Sequence, residues 1–561
     1  MRTMTAETAD KPFRLKAWWT PRESALEMIA LAAIVALAAA LRFANLGALG
    51  EANHYYTAAV KSMLLSWHNF FFVAAEPGGS VSVDKPPVGL WLQAVSAYVF
   101  GVNGFGVLLP QILAGILSVI VIYHLVRRSF GMAAGLLAAL AMAITPVVVA
   151  TDRNNTMDST LILTLLLAAR AFIRATESGK LRHLLLGAAL VGIGFNVKML
   201  QAYLPLPAFY ALYLLGCKDR LMGKLGKLTL ATMLLLVLSF SWTTIVDLTP
   251  ADLRPYVGSS QDNSELSLIA GYNGLNRLMG MGFGLGRGNG PRDGASPPPS
   301  RGADGAFQPP SRNAGGALPP QDGAGNDTRP PRGPGGDGGL AGGPGGPGGL
   351  PGGPGGPGGI GGTGQPGALR LFTAPLNKEA SWLLPFGLFS ILLVVFRTRL
   401  QWPIAPKHQT LALWGGWLLT GAFFFSVANF FHEYYLTMLA PPLAALVAMG
   451  VVELWRMRQE QPWLALGLLL AATGGTLVLQ ITTAQAFLKT MGWLPLVIGL
   501  FIIGALSLIA ARRQSSRVVL AGFVSIVAAM LVTPGIWSGL TTLYSSENQS
   551  LPSAYSGRRA R

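Results

Sequence analysis

The sequence predicts an all-α polytopic membrane protein. Three observations carry that prediction: an apolar excess, recurring apolar windows of spanning length, and basic residues gathered between alternate windows. Of 561 residues, 51% are hydrophobic and 12% charged, and the mean hydropathy is +0.45. That balance is too apolar for a set of soluble domains, so much of the surface must face lipid. A formal charge of +17 would suggest nucleic acid in a soluble chain. Here Lys and Arg sit beside apolar windows, where topology and anionic headgroups account for them, so no nucleic-acid partner is expected. Cys217, the single cysteine, excludes an intramolecular disulfide and any multi-cysteine metal site.

A bilayer core of roughly 30 Å takes about 20 apolar residues per helix. Windows near that length fall at 26–45, 105–126, 132–150, 159–173, 184–197, 200–216, 228–247, 381–396, 409–428, 435–454, 463–481, 492–510 and 518–540. They predict about thirteen transmembrane helices. The first follows a basic leader, residues 1–25, containing Arg14, Lys16 and Arg22. A cleaved signal is the plainer reading of such a start. A retained anchor is expected instead, because the window runs directly into Arg42 and a motif-bearing loop.

One set of connections carries Arg127 and Arg128, then Arg170, Arg174, Lys180 and Arg182, then Lys218, Arg220, Lys224 and Lys227. The pattern continues at Arg397, Arg399 and Lys407, at Arg456 and Arg458, and at Arg512, Arg513 and Arg517. The positive-inside rule makes that side cytoplasmic and places the C-terminal tail, 542–561, outside. Two outward segments are long, 46–104 and 248–380, and should carry the chemistry. The first holds amphipathic stretches, Tyr55 to Trp67 and Val88 to Phe100, that suit helices lying in the interface. The domain reading is a catalytic module over 26–278, a Gly/Pro-rich insert over 279–367 and C-terminal helices over 368–541. The insert has too few large apolar residues to offset its ordering entropy and should be disordered, as a tether or spacer.

Ionisable residues at a membrane face must snorkel, pair or line a wet cavity. In Val83-Asp84-Lys85-Pro86-Pro87 two prolines seat the next helix just after an acid and a cation. The lysine can hold a phosphate as a point charge, and the carboxylate can take a proton. In Gly50-Glu51-Ala52-Asn53-His54-Tyr55-Tyr56 an acid, an amide, an imidazole and two phenols suit a sugar site. Thr151-Asp152-Arg153-Asn154-Asn155-Thr156-Met157-Asp158 crowds polar groups into a tight outward turn, and Lys198 stands at another outward hairpin. Arg254 offers a bidentate phosphate contact, and Tyr256, Asp262 and Asn263 follow it in a polar run. His432, Tyr434 and Tyr435 open a later span. Each pattern has a plainer reading too: a capped helix start, an interface aromatic belt or a solvated loop.

Together, Asn53-His54-Tyr55-Tyr56, Asp84-Lys85-Pro86-Pro87, Arg254-Pro255-Tyr256-Val257-Gly258 and His432-Glu433-Tyr434-Tyr435 resemble the GT-C membrane glycosyltransferases. The type includes protein O-mannosyltransferases and lipid A aminoarabinose transferases, and the similarity is strongest to a bacterial branch with these motifs. The resemblance implies a GT-C fold in the bacterial cytoplasmic membrane and inverting transfer of a sugar, mannose by family default, from a polyprenyl-phosphate donor. The acceptor, a lipid, protein or wall polymer, would be met on the outer face. It further implies Lys85 at the donor phosphate and a carboxylate, Asp84 or Glu51, at the acceptor; the residue patterns add Arg254 and Lys198 as phosphate candidates and Asp158 as a catalytic one. The remaining motif residues would line the sugar site: Asn53, His54, Tyr55, Tyr56, Asp152, Arg153, Tyr256, Asp262, Asn263, His432, Tyr434 and Tyr435. The family's acidic pair aligns with Ala52 and Asn53, so this chain departs from the pattern at the expected base. No metal ligand set or obligate cofactor is expected, although the family allows a divalent ion beside Asp84 with His54 or His432. The competing reading is a transporter or flippase of a lipid-linked precursor. Transporters favour internal repeats and midplane sites, whereas the polar motifs here gather on one side.

Overall fold

The structure, a computed structural model, describes residues 24–260, 262–271, 363–398, 400–510, 516–545 and 550–557. Of the expected disordered insert, everything up to residue 362 lies outside them. Two of the last five residues of that tract are bonded to the helical body: Arg370 donates to the Thr363 carbonyl at 3.0 Å and its hydroxyl at 2.7 Å, and Gly367 N–H donates to Ser426 O at 2.9 Å.

The described residues are helical, with isolated bridges but no strand. The first helix, α1 (Ala25–Phe43), leads into the outward loop with α2 (His54–Met63), α3 (Trp67–Phe71) and α4 (Pro87–Phe100). Then follow α5 (Gly104–Phe130), α6 (Met132–Ala143), α7 (Pro146–Asp152), α8 (Asp158–Ser178), α9 (Leu181–Lys198), α10 (Leu206–Gly216), α11 (Leu221–Leu248) and α12 (Glu265–Ala270). Beyond the insert come α13 (Leu384–Arg397), α14 (Pro406–Val427), α15 (Ala440–Glu460), α16 (Pro462–Gln485), α17 (Leu494–Ala510) and α18 (Ser516–Leu543). Nine helices among the described residues are long and apolar enough to span, and α6 with α7 forms a tenth candidate bent by 61°. The three remaining windows hold the shorter apolar helices α10, α13 and α17.

The bend has a sequence cause. Pro146 opens α7 and cannot donate to the preceding turn, and Thr145 turns its hydroxyl back to Ala141 O at 2.7 Å. The 28-residue stretch Glu433–Glu460, which contains α15, is 94% buried in its most apolar window, whereas Ala25–Phe43 is 17% buried. The first is the axis of the bundle; the second faces lipid. The axis packs on α6, α13, α14 and α16, while α8 lies along α5 and α9. Helix α4 turns Leu92, Val95, Tyr98 and Val99 outward and buries Gly89, Leu90, Gln93 and Ala94, as suits a helix half embedded in lipid.

The basic end is tied by ion pairs, among them Arg128 to Glu177, Lys407 to Glu453 and Arg456 to Glu453. On the opposite side, one buried pair locks α1 to the bent helix: Arg42 Nε donates to Asp152 Oδ2 at 2.6 Å. The carboxylate fits because residue 115 of α5 is glycine; a Cβ there would stand 2.1 Å from Asp152 Oδ2. Arg153 collects the carbonyls of Arg42, Ala44 and Asn45, which end α1, and that of Thr542 in α18. These groups would otherwise be orphaned in a low-dielectric setting.

Asp152→Ala strands the Arg42 charge and should destabilise the protein by about 3–5 kcal/mol. Thermal unfolding in detergent measures this, and pairing Arg42→Met with Asp152→Leu should restore more than half of the loss. An unchanged melting temperature in Asp152→Ala would show that the pair does not hold the fold.

Candidate active site

The segment before Asp84 is fixed by backbone pairing on two sides. Ala75 N–H donates to Val81 O at 2.8 Å and Val83 N–H to Val73 O at 3.0 Å. On the other edge, Ser82 N–H donates to Tyr256 O and Tyr256 N–H to Ser80 O, both at 2.8 Å. The Arg-Pro-Tyr-Val-Gly motif is therefore stitched directly to the run entering Asp84 and Lys85. Gly258 permits the approach, since a Cβ at that position would lie 2.1 Å from Ser82 O. Pro86 and Pro87 then start α4, in keeping with the preference for proline in a first turn.

Two acid–lysine pairs meet at this level. Lys85 Nζ donates to Asp84 Oδ2 at 2.5 Å and to the Asp84 carbonyl at 3.3 Å. Lys198, ending α9, reaches both carboxylate oxygens of Asp158, opening α8, at 2.6 Å. All four side chains are buried or nearly so. Lys198 also lies 4.0 Å from the Tyr435 ring centre and 4.7 Å from that of Tyr434, within cation–π range. The next residue, Met199, adopts φ 45°, a strained value for a side chain of its size that turns the chain sharply after Lys198. Tyr56 completes the cluster. Burial first, then the charges of Asp84, Tyr435, Tyr55 and Asp158, push its phenol well above the ordinary value, so it remains a proton donor.

Lys85 and Lys198 line one cavity of about 370 Å³. Its other walls are largely apolar: Met199, Leu200, Leu204, Pro207, Phe424, Phe430 and Phe431, with Gln201, Tyr203, Thr420 and Tyr435 between them. Each ammonium carries three N–H groups and spends two on the contacts above, leaving one for a further acceptor. An apolar cavity with two such donors fits an amphiphile with an anionic head.

The other sequence-selected residues divide. Asp152 and Arg153 are engaged by Arg42 and by helix-end carbonyls, so the geometry gives them a holding role in place of the expected substrate contact. Arg254, expected at the phosphate, spends its guanidinium within its own loop: on Asn263 Oδ1 and O at 2.8 Å each and on Thr249 O at 3.0 Å. Asn263 Oδ1 also accepts Val257 N–H, and the residue sits at φ 59°, which Asn tolerates. Asn53 caps α2 through Tyr56 N–H, pairs its backbone with the Asn155 side chain, and donates to Ser550 O at 2.7 Å. Glu51, His54, Tyr55, Tyr256 and Asp262 are exposed, and His432 stacks on Tyr434. Ala52, at the family's acidic position, is buried at φ 58°.

Lys378, Glu379 and Ser553 were not singled out from sequence, whereas Glu265 and Glu433 stood among the ionisable candidates of these loops without an assigned role. Lys378 reaches Glu379, Glu433 Oε2 at 2.9 Å and Ser553 Oγ at 2.7 Å, and Ala554 N–H donates to both Glu379 oxygens at 3.1 Å. This cluster holds the chain's last described segment against the element bearing His432 and Tyr434. Glu265, of α12, is wholly buried and both of its carboxyl oxygens lack a partner. The available signal was an adjacent Lys-Glu beside an apolar stretch for the first, and a Ser264-Glu265 helix start for the second. Asn155 donates to Thr57 Oγ1 at 3.0 Å, and Gln93 donates to the Asn155 carbonyl at 2.7 Å, joining the outward turn to α2 and α4. As for a metal, among the described residues no three His, Cys, Asp or Glu side chains converge, and Asp84 is bonded to Lys85. That donor set does not fit a resident ion, and no step is derived through one.

The family described as dolichyl-phosphate-mannose-protein mannosyltransferase matches residues 84–242. "Putative mannosyltransferase YycA" of Bacillus subtilis (strain 168) is 41% identical over 536 residues, which is 93% of this chain and 78% of the relative. The undecaprenyl phosphate-alpha-4-amino-4-deoxy-L-arabinose arabinosyl transferase of Pseudomonas paraeruginosa (strain DSM 24068 / PA7) is 31% identical over 174 residues, 30% of this chain and 32% of its own. The crystal structure of ArnT from Cupriavidus metallidurans bound to undecaprenyl phosphate overlays with a TM-score of 0.49 at 15% identity, over 92% of this chain and 77% of that one.

Gly258→Ala should push the 254–265 loop off residues 80–82, speeding hydrogen exchange at the Ser82 amide by about tenfold or more. Unchanged exchange there would mean that the loop is held by Arg254 and Asn263 alone.

Proposed function

Because the chain belongs to the GT-C superfamily of membrane glycosyltransferases, in the family of YycA, we propose that it transfers a sugar from a polyprenyl-phosphate donor to an acceptor at the outer face of the membrane. One observation carries this reading: Lys85 and Lys198 both line the same largely apolar cavity. The prenyl chain would lie along the Phe424, Phe430 and Phe431 wall and the phosphate between the lysines. Mannose in the names of the matched family and of YycA, and aminoarabinose in that of the Pseudomonas relative, support a hexose or pentose donor. The basic clusters at the opposite end, Arg127, Arg128, Lys224 and Arg456 among them, support an outward-facing site.

In this mechanism the bond from the anomeric carbon to phosphate oxygen breaks as the acceptor oxygen approaches from the opposite face, inverting the centre. Positive character grows on carbon and negative charge on the departing phosphate. Fixed ammonium groups in a water-poor cavity stabilise that charge without reorganising. Asp84 is the carboxylate assigned to the acceptor's proton: it is buried at the reaction level, whereas Glu51 is exposed and Asp158 has both oxygens on Lys198. The rings of Tyr434 and Tyr435 keep Lys198 aimed, and the Tyr56 hydroxyl is available as a donor to phosphate or sugar oxygen. A polyprenyl phosphate leaves readily, so charge supplied by the two lysines suffices and no obligate metal is assigned.

Release of polyprenyl phosphate from a panel of labelled polyprenyl-phosphate sugars tests the reading. Lys85→Ala and Asp84→Asn should each lower kcat/KM by roughly 10²- to 10³-fold with the melting temperature kept. Full turnover in both variants would move the centre elsewhere, and carrier binding without turnover across the panel would favour transport. Chelation with EDTA should leave the rate within about twofold, and loss of activity restored by a divalent ion would contradict the metal-free assignment.

A further inference from the structure

Glu265 is the one carboxyl group among the described residues that is fully buried with both oxygens unpartnered. Burial without a donor disfavours the charged form, so the proton is strongly held. The groups facing it reinforce this. Its backbone N–H donates to Asp247 Oδ1 at 2.8 Å, and Asp247 Oδ2 takes Ser264 Oγ at 2.9 Å and Leu266 N–H at 3.1 Å, so a second acid lies beside it on α11. Arg254, the cation among the described residues whose charge acts on Glu265, is spent on Asn263 and Thr249. Burial, opposed only in part by Arg254 and reinforced by Asp247 and Asp84, moves the Glu265 carboxyl up to about 8. The loop carrying it is also the one stitched to the run before Asp84, through Tyr256 on Ser80 and Ser82 and through Gly258 N–H on Ser82 Oγ at 3.2 Å.

We propose that Glu265 is a positioning residue for the donor phosphate: neutral beside the Asp84–Lys85 element, it leaves Asp84 as the lone carboxylate competing with phosphate for Lys85. The inference rests on the polyprenyl-phosphate reading of the site. Glu265 keeps its proton throughout the cycle and forms no bond to substrate. Its ionisation would place a further negative charge against the incoming phosphate and against Asp84, weakening donor binding while leaving the arrangement of Lys85 and Lys198 in place. The sign follows: the competent form is the protonated one, present below about pH 8 and lost as pH rises through that value.

The probe is undecaprenyl phosphate binding to the detergent-solubilised full chain. Wild type should lose affinity by about tenfold between about pH 7 and about pH 9, since one proton with a pKa near 8 controls the competent fraction. The ligand's own second ionisation, near 6, is complete by then. Glu265→Gln, which mimics the neutral acid, should bind as wild type does at about pH 7 and keep that affinity at about pH 9. A pH-independent wild type, or a Glu265→Gln variant that keeps the alkaline loss, overturns the inference while leaving the donor reading intact. Absence of binding at either pH overturns the donor reading and the inference with it. If Glu265→Gln fails to fold, Glu265→Leu takes its place: loss of the alkaline decline supports the inference, and a decline that persists overturns it.

Discussion

Charge cannot stand alone at the edge of a bilayer, and the half of this protein opposite its basic clusters is organised by that constraint. Asp84 is matched by Lys85, Asp158 by Lys198, Asp152 by Arg42, and Glu379 with Glu433 by Lys378. The pairs divide by what surrounds them. Arg42–Asp152 is closed off by helices and Gly115, and it does the work of a rivet. Lys85 and Lys198 are matched as thoroughly, yet they border a largely apolar cavity. A lysine held by one carboxylate is cheap to bury and remains able to greet an anion; this is the economy on which the proposed chemistry depends.

The fold was legible because lipid simplifies the code. Apolar windows of spanning length and basic clusters on one side are enough to place the helices, and the thirteen windows correspond to nine long helices, one bent pair and three short ones. The bend itself was written in Thr145-Pro146, although a window average runs through it. What escaped was pairing over distance. Nothing local in the sequence joins Arg42 to Asp152 or Lys198 to Asp158, because helix packing decides which charges become neighbours. Arg254 shows the converse: its motif stood out, but the side chain serves the loop that docks on Ser80 and Ser82, a role fixed by Asn263 at a left-handed backbone position.

The segment 550–557 illustrates how remote parts of the chain converge on the same face. Ser550 meets Asn53 at the start of α2, Ser553 meets Lys378, and Trp537 donates to the Tyr555 carbonyl at 3.1 Å. Lys378 in turn holds Glu433, next to the tyrosines that flank Lys198. The first outward loop, the segment after the insert and the end of the chain thus form one support for the site.

The most direct test of this account is a double-mutant cycle on undecaprenyl phosphate affinity using Lys85→Gln and Lys198→Gln. If both ammonium groups hold one phosphate, each substitution weakens binding and the two effects couple by more than about 0.5 kcal/mol. Strict additivity, or binding indifferent to either change, would place the phosphate elsewhere and contradict the shared cavity as the donor site.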